Sequence, residues 1–318
     1  MAGSINVDLL VEVPHLPVRG ETVAARRLHQ QVGGKGANQA VAGARAGARV
    51  VLYGCVGDDV WGERALSYLR EEQVETGFVR VTPGETTGLA VITVDKDGHN
   101  TIAVVPGANG SLPDSLPPDL SEAMPSFAAV VVQFEIPSPA LGALYRRVEQ
   151  VRCSHGVRAP RLIVNPSPLV RQSLPDPGLA DLLIVNEVEA SELSGVDVAD
   201  PRRAALAARR LAESVRPGGA VVVTLGPQGA VVWEVSGACW HVPALPVRAV
   251  DSTGAGDVFT GVLVAALISG RGLVAAARLA VAASGLCVTR HGVQQAIPRR
   301  ADIERALARV PGPVLLAE

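Results

Sequence analysis

The sequence lacks the features that mark several classes of protein. Its 29 basic and 31 acidic side chains give a formal net charge of -2, so no basic surface for nucleic acid is predicted. No apolar run reaches the roughly 18 to 20 residues that cross a membrane. The first ten residues, MAGSINVDLL, contain no charged segment followed by an apolar stretch, as a secretory signal would. We therefore expect a cytoplasmic protein that binds neither nucleic acid nor membrane, with the nucleus left open as a second location.

Cysteine is also scarce in this chain. The four cysteines lie far apart in the sequence and form no CxxC pair: Cys55, Cys153, Cys239 and Cys287. Because no export signal is present, we expect them to be reduced thiols, most of them in the core.

What the sequence does contain is an alternation of apolar runs and helical patterns. The segment WGERALSYLREEQV (61–74), for example, follows an apolar run and predicts an amphipathic helix. Alternating strands and helices predict a mostly parallel sheet with helices on both faces, which is a three-layer α/β/α fold. The apolar runs that predict central strands occupy residues 50–57, 128–135, 161–166, 181–187 and 220–226.

Polar residues lie at the ends of these runs. In parallel sheets, ligands bind beyond the carboxyl ends of the strands. We therefore expect one shared crevice to be faced by Glu135, Asn165, Asn186 and residues 224–226.

Two other segments, about 7–33 and 85–106, show the alternation of short, half-exposed strands. The second contains a Lys-Asp-Gly turn and predicts a hairpin over 86–105. We expect these segments to form a small β-sheet lid over the crevice, within a single domain of residues 1–318.

The segment VDSTGAGD (250–257) precedes a long apolar helix. Gly254 and Gly256 would let the amides at the helix N-terminus approach an anion, because glycine has no side chain to prevent it. Asp257 would repel a static phosphate, so a carboxylate that accepts a proton from an attacking hydroxyl explains this residue better. The alternative is an ordinary helix N-terminus at which Asp257 interacts favourably with the helix dipole.

The glycine cluster VGGKGANQA (32–40) matches neither of the common phosphate-binding motifs. Lys35 is followed by Gly36 and not by serine or threonine, which excludes the P-loop pattern, and the Rossmann glycine spacing is absent too. We expect a loop on which Lys35 and Asn38 donate hydrogen bonds to a polar ligand. The alternative is a tight turn before a helix.

The segment GSINVD (3–8) places two polar residues on one face of a strand. Asn6 and Asp8 alternate with apolar residues, so an amide and a carboxylate lie side by side. This pair could receive vicinal hydroxyl groups, or it could be a solvated strand edge.

Two further motifs follow predicted strands. In VNEVEASEL (185–193), Asn186 and Glu189 offer the hard oxygen ligands that suit Mg²⁺, or they cap the helix that follows. The turn TLGPQG (224–229) could hold a nucleotide with its backbone amides, although many turns after strands have this composition.

The order of these motifs resembles that of the ribokinase-like (PfkB) family of carbohydrate kinases. The similarity covers nearly the whole chain, and GGKGANQA and DSTGAGD are highly specific for the family. The other matching motifs are GSINVD, PGAN, QFE, NEVEA, TLGPQG and VTRHG.

The resemblance implies ATP-dependent phosphorylation of D-ribose at its 5-hydroxyl, with Asp257 as general base. It implies that the transferring phosphoryl group faces the amides of Gly254, Ala255 and Gly256. It implies sugar contacts from Asn6, Asp8, Gly34, Lys35, Gly36, Ala37, Asn38, Glu135 and Asp257. It implies ATP contacts from Asn186, Thr224, Leu225, Gly226, Pro227, Gln228, Gly229, Gly256 and Asp257.

The resemblance also implies two cations and a partner. Asn186 and Glu189 match the NxxE motif of the family, which is linked to Mg²⁺ through water. A homodimer through the β lids is implied as well. A monovalent cation such as K⁺ is implied, largely on backbone carbonyls, at a site formed by Asp251, Thr253, Cys287, Arg290 and Gly292.

The chain departs from the family pattern in three places. Only Met1 and Ala2 precede Gly3, where relatives usually have an apolar strand, so a truncated first strand is predicted. Val281 replaces a polar residue near the adenine. Ala296 replaces a serine whose hydroxyl often helps to bind the monovalent cation, which predicts an altered affinity for K⁺.

Two alternatives to ribose phosphorylation stay open. Acidic side chains at Asp8, Glu135 and Asp257 favour a neutral acceptor, which fits another neutral sugar or a nucleoside as well as ribose. The truncated first strand leaves open a catalytically impaired homologue that still binds sugar or nucleotide. A nicotinamide dehydrogenase is disfavoured, since the Rossmann glycine pattern is absent.

Overall fold

In the computed structural model, the apolar runs form strands and the segments between them form helices. The structure describes residues 1–317 except 157, 158, 172, 173, 175, 177 and 235. The strands are β1 (Asn6–Glu12), β2 (Arg27–Gly33), β3 (Val50–Gly57), β4 (Val74–Thr82), β5 (Gly88–Val94), β6 (Asn100–Val105), β7 (Ala129–Gln133), β8 (Arg161–Asn165), β9 (Leu182–Asn186), β10 (Ala220–Thr224), β11 (Ala230–Trp233), β12 (Cys239–Val242) and β13 (Val314–Ala317). The helices are α1 (Lys35–Arg45), α2 (Val60–Glu71), α3 (Pro118–Ala123), α4 (Ser138–His155), α5 (Glu187–Ser194), α6 (Pro201–Leu211), α7 (Ala255–Ile268), α8 (Leu273–Cys287) and α9 (Arg300–Leu307).

Seven strands form the larger part of the central sheet, in the order β13-β12-β11-β10-β9-β8-β7. The strands from β7 to β10 pair in parallel, as predicted, whereas those from β10 to β13 pair antiparallel. The sheet is therefore mixed, and its antiparallel edge is a feature that the alternation of runs does not predict. Parallel pairing brings the carboxyl ends of β8, β9 and β10 to one edge, where Asn165, Asn186 and Thr224 lie.

Side chains of each central strand alternate between two apolar layers. On one face, Ile163 and Ile184 belong to a cluster that includes residues of α7 and α8. On the other face, Leu162 and Val185 belong to a cluster that includes residues of α4 and α6. Helices thus cover both faces, which confirms the three-layer α/β/α fold. Among the described residues, no helix has both the length and the apolar composition that a membrane span requires.

The predicted helix over 61–74 is wrong at its carboxyl end. α2 ends at Glu71, and Gln73 has a left-handed conformation (φ 61) that separates the helix from β4. From Val74 onward the chain pairs in parallel with β3. The valines and Phe78 of this segment suit an extended strand, so pairing with β3 outweighs the helical pattern at this boundary.

A second sheet, here called the small sheet, contains four strands in the order β2-β1-β5-β6. Its antiparallel pair β5–β6 is the predicted hairpin. Apolar side chains of its outer strands are exposed, namely Leu28, Ile102, Val104 and Val105. β1 connects this sheet to the central sheet, so Asn6 and Asp8 lie where the two sheets meet.

The first residues fill only part of a position in the central sheet. Ala2 forms parallel bridges with Tyr53 of β3 and with Val132 of β7, and it joins the β3–β4 pair to the seven strands. Beyond Met1 a cavity of about 510 Å³ separates β3 from β7, and its walls include Val50, Val51, Ala129 and Val130.

Four valines added before Met1 are expected to stabilise the protein. In the parallel register of Ala2, the added residues run alongside residues 48–51 and 127–130, which line the cavity. Burial stabilises each valine by about 1.5–3 kcal/mol, and ordering each residue costs about 1.5 kcal/mol. We expect calorimetry to show a thermal midpoint about 3 °C or more above that of the unextended chain. A Gly-Ser-Gly-Ser extension is the matched control, and equal midpoints for the two extensions would contradict this account of the cavity.

Candidate active site

Asp257 lies in the first turn of α7, where the buried part of the helix begins. Gly254 precedes this helix in a left-handed conformation (φ 76), and a methyl group at Gly254 would overlap the side chain of Val293. α7 is buried from Asp257 to Ala266, whereas Gly254 and Ala255 are half-buried and Gly256 is exposed, so the unpaired N–H groups of the first turn are accessible to a ligand. The described residues leave open space beside Gly256. An anion could therefore approach the amides next to the Asp257 carboxylate.

Side-chain amides of α1 hold the Asp257 carboxylate in place. Asn38 Nδ2 donates to Asp257 Oδ2 at 3.0 Å, and Gln39 Nε2 donates to Asp257 Oδ1 at 3.1 Å. Asp257 is 6% exposed, so water has little access to compete with these bonds. The carboxylate has one fixed donor on each oxygen and remaining acceptor capacity for a ligand.

A cavity of about 130 Å³ lies in front of Asp257, and we call it the Asp257 pocket. Its walls come from motifs that are far apart in the sequence. They include Lys35, Asn165, Asn186, Glu189, Thr224, Gly254, Gly256 and Asp257. The structure thus brings together the glycine cluster, three strand ends and the helix N-terminus at one place. Of the residues expected at the shared crevice, Asn165, Asn186 and Thr224 line this pocket, whereas Glu135, Leu225 and Gly226 do not.

The amide and the carboxylate of β1 are both buried near this pocket. Asn6 Oδ1 accepts a hydrogen bond from Asn109 Nδ2 at 2.8 Å, and the Asn109 side chain also bonds both backbone groups of Ile5. Burial raises the pKa of Asp8 to about 7, with further contributions from Glu135 and Asp257. Three carboxylates are therefore close enough to influence one another, which disfavours a negatively charged acceptor at this position.

Glu135 joins two of the sequence motifs. Its Oε2 accepts hydrogen bonds from the Ser4 hydroxyl and from the Lys35 backbone N–H, the latter at 3.0 Å. Burial alone would lower the pKa of the Lys35 ammonium, but nearby carboxylates, Asp257 first among them, raise it above its usual value. Lys35 is therefore a cation in a site that is otherwise acidic.

The other residues of the glycine cluster pack directly on the chain before β1. Gly34 has a left-handed conformation (φ 86), and Ala37 N–H donates to Ser4 O at 3.0 Å. A methyl group at Gly36 would lie 2.5 Å from the carbonyl carbon of Gly3. Gly34, Gly36 and Ala37 are buried, and they set the distance between the two motifs.

Asn186 and Glu189 form a capping box at the start of α5. Asn186 Oδ1 accepts from the Glu189 backbone N–H at 2.9 Å, and Glu189 Oε2 accepts from the Asn186 N–H at 3.0 Å. This is the capping alternative that the sequence allows, and both side chains also line the Asp257 pocket. Burial raises the pKa of Glu189 despite these bonds.

The turn after β10 reaches the pocket through its first residue. Thr224 lines the Asp257 pocket, whereas the Leu225 side chain is buried in the apolar layer beneath it. The next three residues form a single turn of 3-10 helix, from which Gln228 Nε2 donates to Ala199 O at 3.3 Å. Gly229 has φ 93 and lies close to the backbone after β12. Among the described residues, Pro227, Gln228 and Gly229 are not part of the wall of the Asp257 pocket.

The residues implied for a monovalent cation lie on two adjoining loops. Asp251 accepts hydrogen bonds from the Thr253 and Gly292 N–H groups, at 2.9 and 3.1 Å, so it ties the loops together. Arg290 N–H donates to Cys287 O at 3.1 Å. Burial raises the pKa of the Cys287 thiol to about 11, with smaller contributions from Asp251 and Asp257. A carboxylate and several carbonyl oxygens fit a hard cation, and Ala296 adds no oxygen ligand from its side chain.

Several buried amides at the site were not predicted from the sequence as site residues. They are Asn109, which orients Asn6, and three glutamines around Asp257: Gln39, Gln133 and Gln294. Asn109 lies in the quoted PGAN motif and Gln39 in GGKGANQA, so only their motif membership could have pointed to them. Gln133 likewise lies in the QFE motif, whereas Gln294 lies in none of the matching motifs.

Comparison with known proteins identifies the family of this chain. The family model for pfkB family carbohydrate kinases matches residues 1–300. The chain is a member of the pfkB family of carbohydrate kinases. Members of this family are ATP-dependent carbohydrate kinases, and so is this protein. The match confirms both the resemblance and the enzyme class that the sequence predicted.

Individual relatives of this pfkB-family kinase align over almost its whole length. It is 33% identical over 302 residues to the ribokinase of Haemophilus influenzae, covering 94% of the chain and 95% of the relative. It is 32% identical over 299 residues to the deoxyribokinase of Salmonella typhi, covering 93% and 94%. The solved structure of Arabidopsis thaliana ribokinase complexed with ribose and ATP has a TM-score of 0.86 at 29% identity, covering 96% and 97%. These matches confirm the ribokinase-like fold.

Proposed function

We propose that this kinase transfers the γ-phosphoryl group of ATP to the 5-hydroxyl of D-ribose and forms ribose 5-phosphate. The observation that carries the proposal is the Asp257 carboxylate beside Gly254 and Gly256 at the N-terminus of α7. Asp257 accepts the hydroxyl proton while the sugar oxygen attacks the γ-phosphorus, and the bond to the β–γ bridging oxygen breaks. The amides of Gly254, Ala255 and Gly256 stabilise the charge on the transferring group.

Ribose is held on the side of the pocket that faces β1. The Asn6 Nδ2 group donates a hydrogen bond to one sugar hydroxyl, the Asp8 carboxylate accepts from a neighbouring hydroxyl, and Glu135 accepts from a further one. Asn109 supports this role because it fixes the orientation of Asn6. The three acidic side chains around the site support a neutral acceptor, since an already phosphorylated sugar would be repelled.

ATP is held along the edge formed by β9 and β10. Asn186 and Thr224 face its phosphates in the Asp257 pocket, and residues 225–229 follow the nucleotide outward. Mg²⁺, when bound, neutralises phosphate charge. Asn186 and Glu189 would hold it through water, because both residues line the Asp257 pocket and carry oxygen ligands of the kind that Mg²⁺ prefers.

A monovalent cation is proposed on the two loops that Asp251 joins. Asp251, Thr253 and the carbonyls of Cys287, Arg290 and Gly292 would surround it. The cation would stabilise the loop that precedes Gly254, so the N–H groups of α7 keep their orientation. Ala296 supports a weaker affinity for K⁺ than a serine would give at that position.

A second candidate substrate is 2-deoxy-D-ribose. It is favoured by the similar identity to a deoxyribokinase, 32% against 33% for a ribokinase. The two sugars differ by one hydroxyl group. A site that hydrogen-bonds this hydroxyl would leave Asn6 or Asp8 unpaired when the deoxy sugar binds, which supports ribose as the better substrate.

The exposed apolar side chains of the small sheet support a homodimer. Leu28, Ile102, Val104 and Val105 form apolar surface on its outer strands, and a second copy could cover them. A cytoplasmic location is supported by the four free cysteines, which suit a reducing compartment. Nothing observed supports the nucleus. Sedimentation equilibrium tests the dimer, and a monomeric mass at micromolar concentration would count against it.

A coupled assay of ADP release tests the substrate proposal. D-ribose, 2-deoxy-D-ribose, D-fructose and adenosine are compared at fixed ATP and Mg²⁺, with and without K⁺. We expect the highest kcat/KM for D-ribose and a higher rate with K⁺. A higher kcat/KM for another acceptor would replace ribose as the substrate, and no ADP release with any acceptor would favour the impaired homologue.

A further inference from the structure

Two pairs of buried amides lie behind the Asp257 carboxylate. In the first pair, Gln133 Nε2 donates to Gln39 Oε1 at 2.5 Å, and Gln39 in turn donates to Asp257 Oδ1. In the second pair, Gln294 Nε2 donates to Asn38 Oδ1 at 3.0 Å, and Asn38 donates to Asp257 Oδ2. We call these the amide pairs. Each carboxylate oxygen is thus reached by a chain of two amides.

The amide pairs are almost completely shielded from water. Gln39 and Gln133 are 0% exposed, Gln294 is 1% exposed and Asn38 is 5% exposed. Water therefore has almost no access to replace an amide that is removed. In such surroundings a lost hydrogen-bond partner leaves a polar atom unpaired, which costs more than the bond itself contributes.

The outer amide of each pair donates to the oxygen of the inner amide, and this contact favours the orientation in which the nitrogen of the inner amide faces Asp257. A side-chain amide has a donor and an acceptor end of nearly equal shape. Because the oxygen of Gln39 accepts from Gln133, the nitrogen of Gln39 must point toward Asp257. If Gln39 turned over, its oxygen would face the carboxylate, and two acceptors would repel each other. The same reasoning applies to Asn38 when Gln294 is in place.

We propose that Gln133 and Gln294 are positioning residues for Asp257 and that they act through Gln39 and Asn38. The inference rests on the proposed function, because it assigns these glutamines to the orientation of the proposed general base. Neither glutamine bonds directly to Asp257. Their effect is to keep one lone pair of the carboxylate aimed at the hydroxyl of the acceptor.

Two neighbouring contacts support the first pair. Gln39 Nε2 also donates to Asn165 Oδ1 at 2.9 Å, so both of its hydrogens have acceptors when its nitrogen faces Asp257. A methyl group at Gly3 would overlap the Gln133 Oε1 atom. The glycine of the GSINVD motif thus makes room for the outer amide.

The test compares Gln133→Met and Gln294→Met with a surface control, Gln150→Met. Methionine keeps the length of glutamine but neither donates nor accepts strongly. We expect kcat with D-ribose to fall about tenfold in each buried variant, while the KM values for ribose and ATP change less than threefold. The control lies on the exposed side of α4 and is expected to behave as wild type. An unchanged kcat, with or without a change in the KM for ribose or ATP, would overturn the inference.

A double-mutant cycle separates positioning from a general loss of packing. In an Asp257→Asn background, Gln133→Met is expected to lower kcat by less than twofold, because no general base remains to be oriented. An undiminished tenfold effect in that background would show that Gln133 acts elsewhere. If Asp257→Asn alone left kcat unchanged, the proposed function would fail before the amide pairs were tested. Thermal midpoints of all variants show whether the fold is kept.

Discussion

An Asp257→Asn variant is expected to bind D-ribose and ATP but to turn over at least about 100-fold more slowly than the wild type. Asparagine keeps the size of the side chain and its position at the start of α7. It cannot accept the proton that leaves the 5-hydroxyl as the oxygen attacks phosphorus. Since this proton moves only in the transition state, the loss should fall on kcat and not on the binding of either substrate.

Steady-state kinetics and calorimetric titration with ribose measure the two halves of this prediction. The matched control is Asp200→Asn, because Asp200 caps the surface helix α6 and asparagine caps a helix about equally well. Turnover of the Asp257 variant within threefold of wild type would remove Asp257 from the role of general base. Loss of ribose binding without a loss of kcat would assign it to the sugar site instead.

Replacement of Asp8 by asparagine is expected to weaken ribose binding about 30-fold and to stabilise the free protein. The binding loss follows because a hydrogen bond from a sugar hydroxyl to a carboxylate is stronger than one to an amide. The gain in stability follows because burial, then Glu135 and Asp257, raise the pKa of Asp8 to about 7. At neutral pH, folding therefore costs free energy to bury the negative charge of Asp8 near two other carboxylates. An asparagine at this position carries no charge and avoids this cost.

The sign of the pH dependence distinguishes this explanation from a general effect of the substitution. In the unfolded chain Asp8 releases its proton near the ordinary aspartate pKa of 3.8, whereas in the folded protein burial raises this pKa to about 7. The wild type therefore loses stability as pH rises from about 4 to about 7, and the asparagine variant lacks this loss. Denaturant unfolding should show an advantage for the variant that grows across this range. An advantage that is constant with pH would contradict the pKa assignment.

The sequence predicted the central strands because their apolar runs are short and end in polar residues. Asn165, Asn186 and Thr224 are adjacent in the fold for the same reason, since parallel strands end at one edge. The antiparallel strands β11 to β13 were not predicted, because their pairing depends on neighbours that a local pattern does not specify. The end of α2 was misplaced because Gln73 gives no signal of its left-handed conformation.

Local sequence patterns predicted which residues belong to the candidate site, but they did not predict which of these residues contact one another. Asp257, Asn6 and Asp8 have recognisable neighbours in the sequence, and the structure places all three in buried positions near one pocket. The amide pairs link residues that are far apart in the sequence, by 94 positions between Gln133 and Gln39 and by 256 between Gln294 and Asn38. Such contacts follow from how α1 packs against the central sheet and the loop before α9. A single sequence carries no direct trace of them.

The position of the phosphate on the product tests the central claim most directly. The protein is incubated with D-ribose, ATP, Mg²⁺ and K⁺, and the product is examined by phosphorus NMR with proton coupling. When the phosphate is on the 5-hydroxyl, its phosphorus signal is split by the two protons on C5, and we predict this spectrum. A phosphate on C1 would give a phosphorus signal that is split by a single proton, and this result would contradict transfer to the 5-hydroxyl beside Asp257. The appearance of inorganic phosphate alone would contradict it as well.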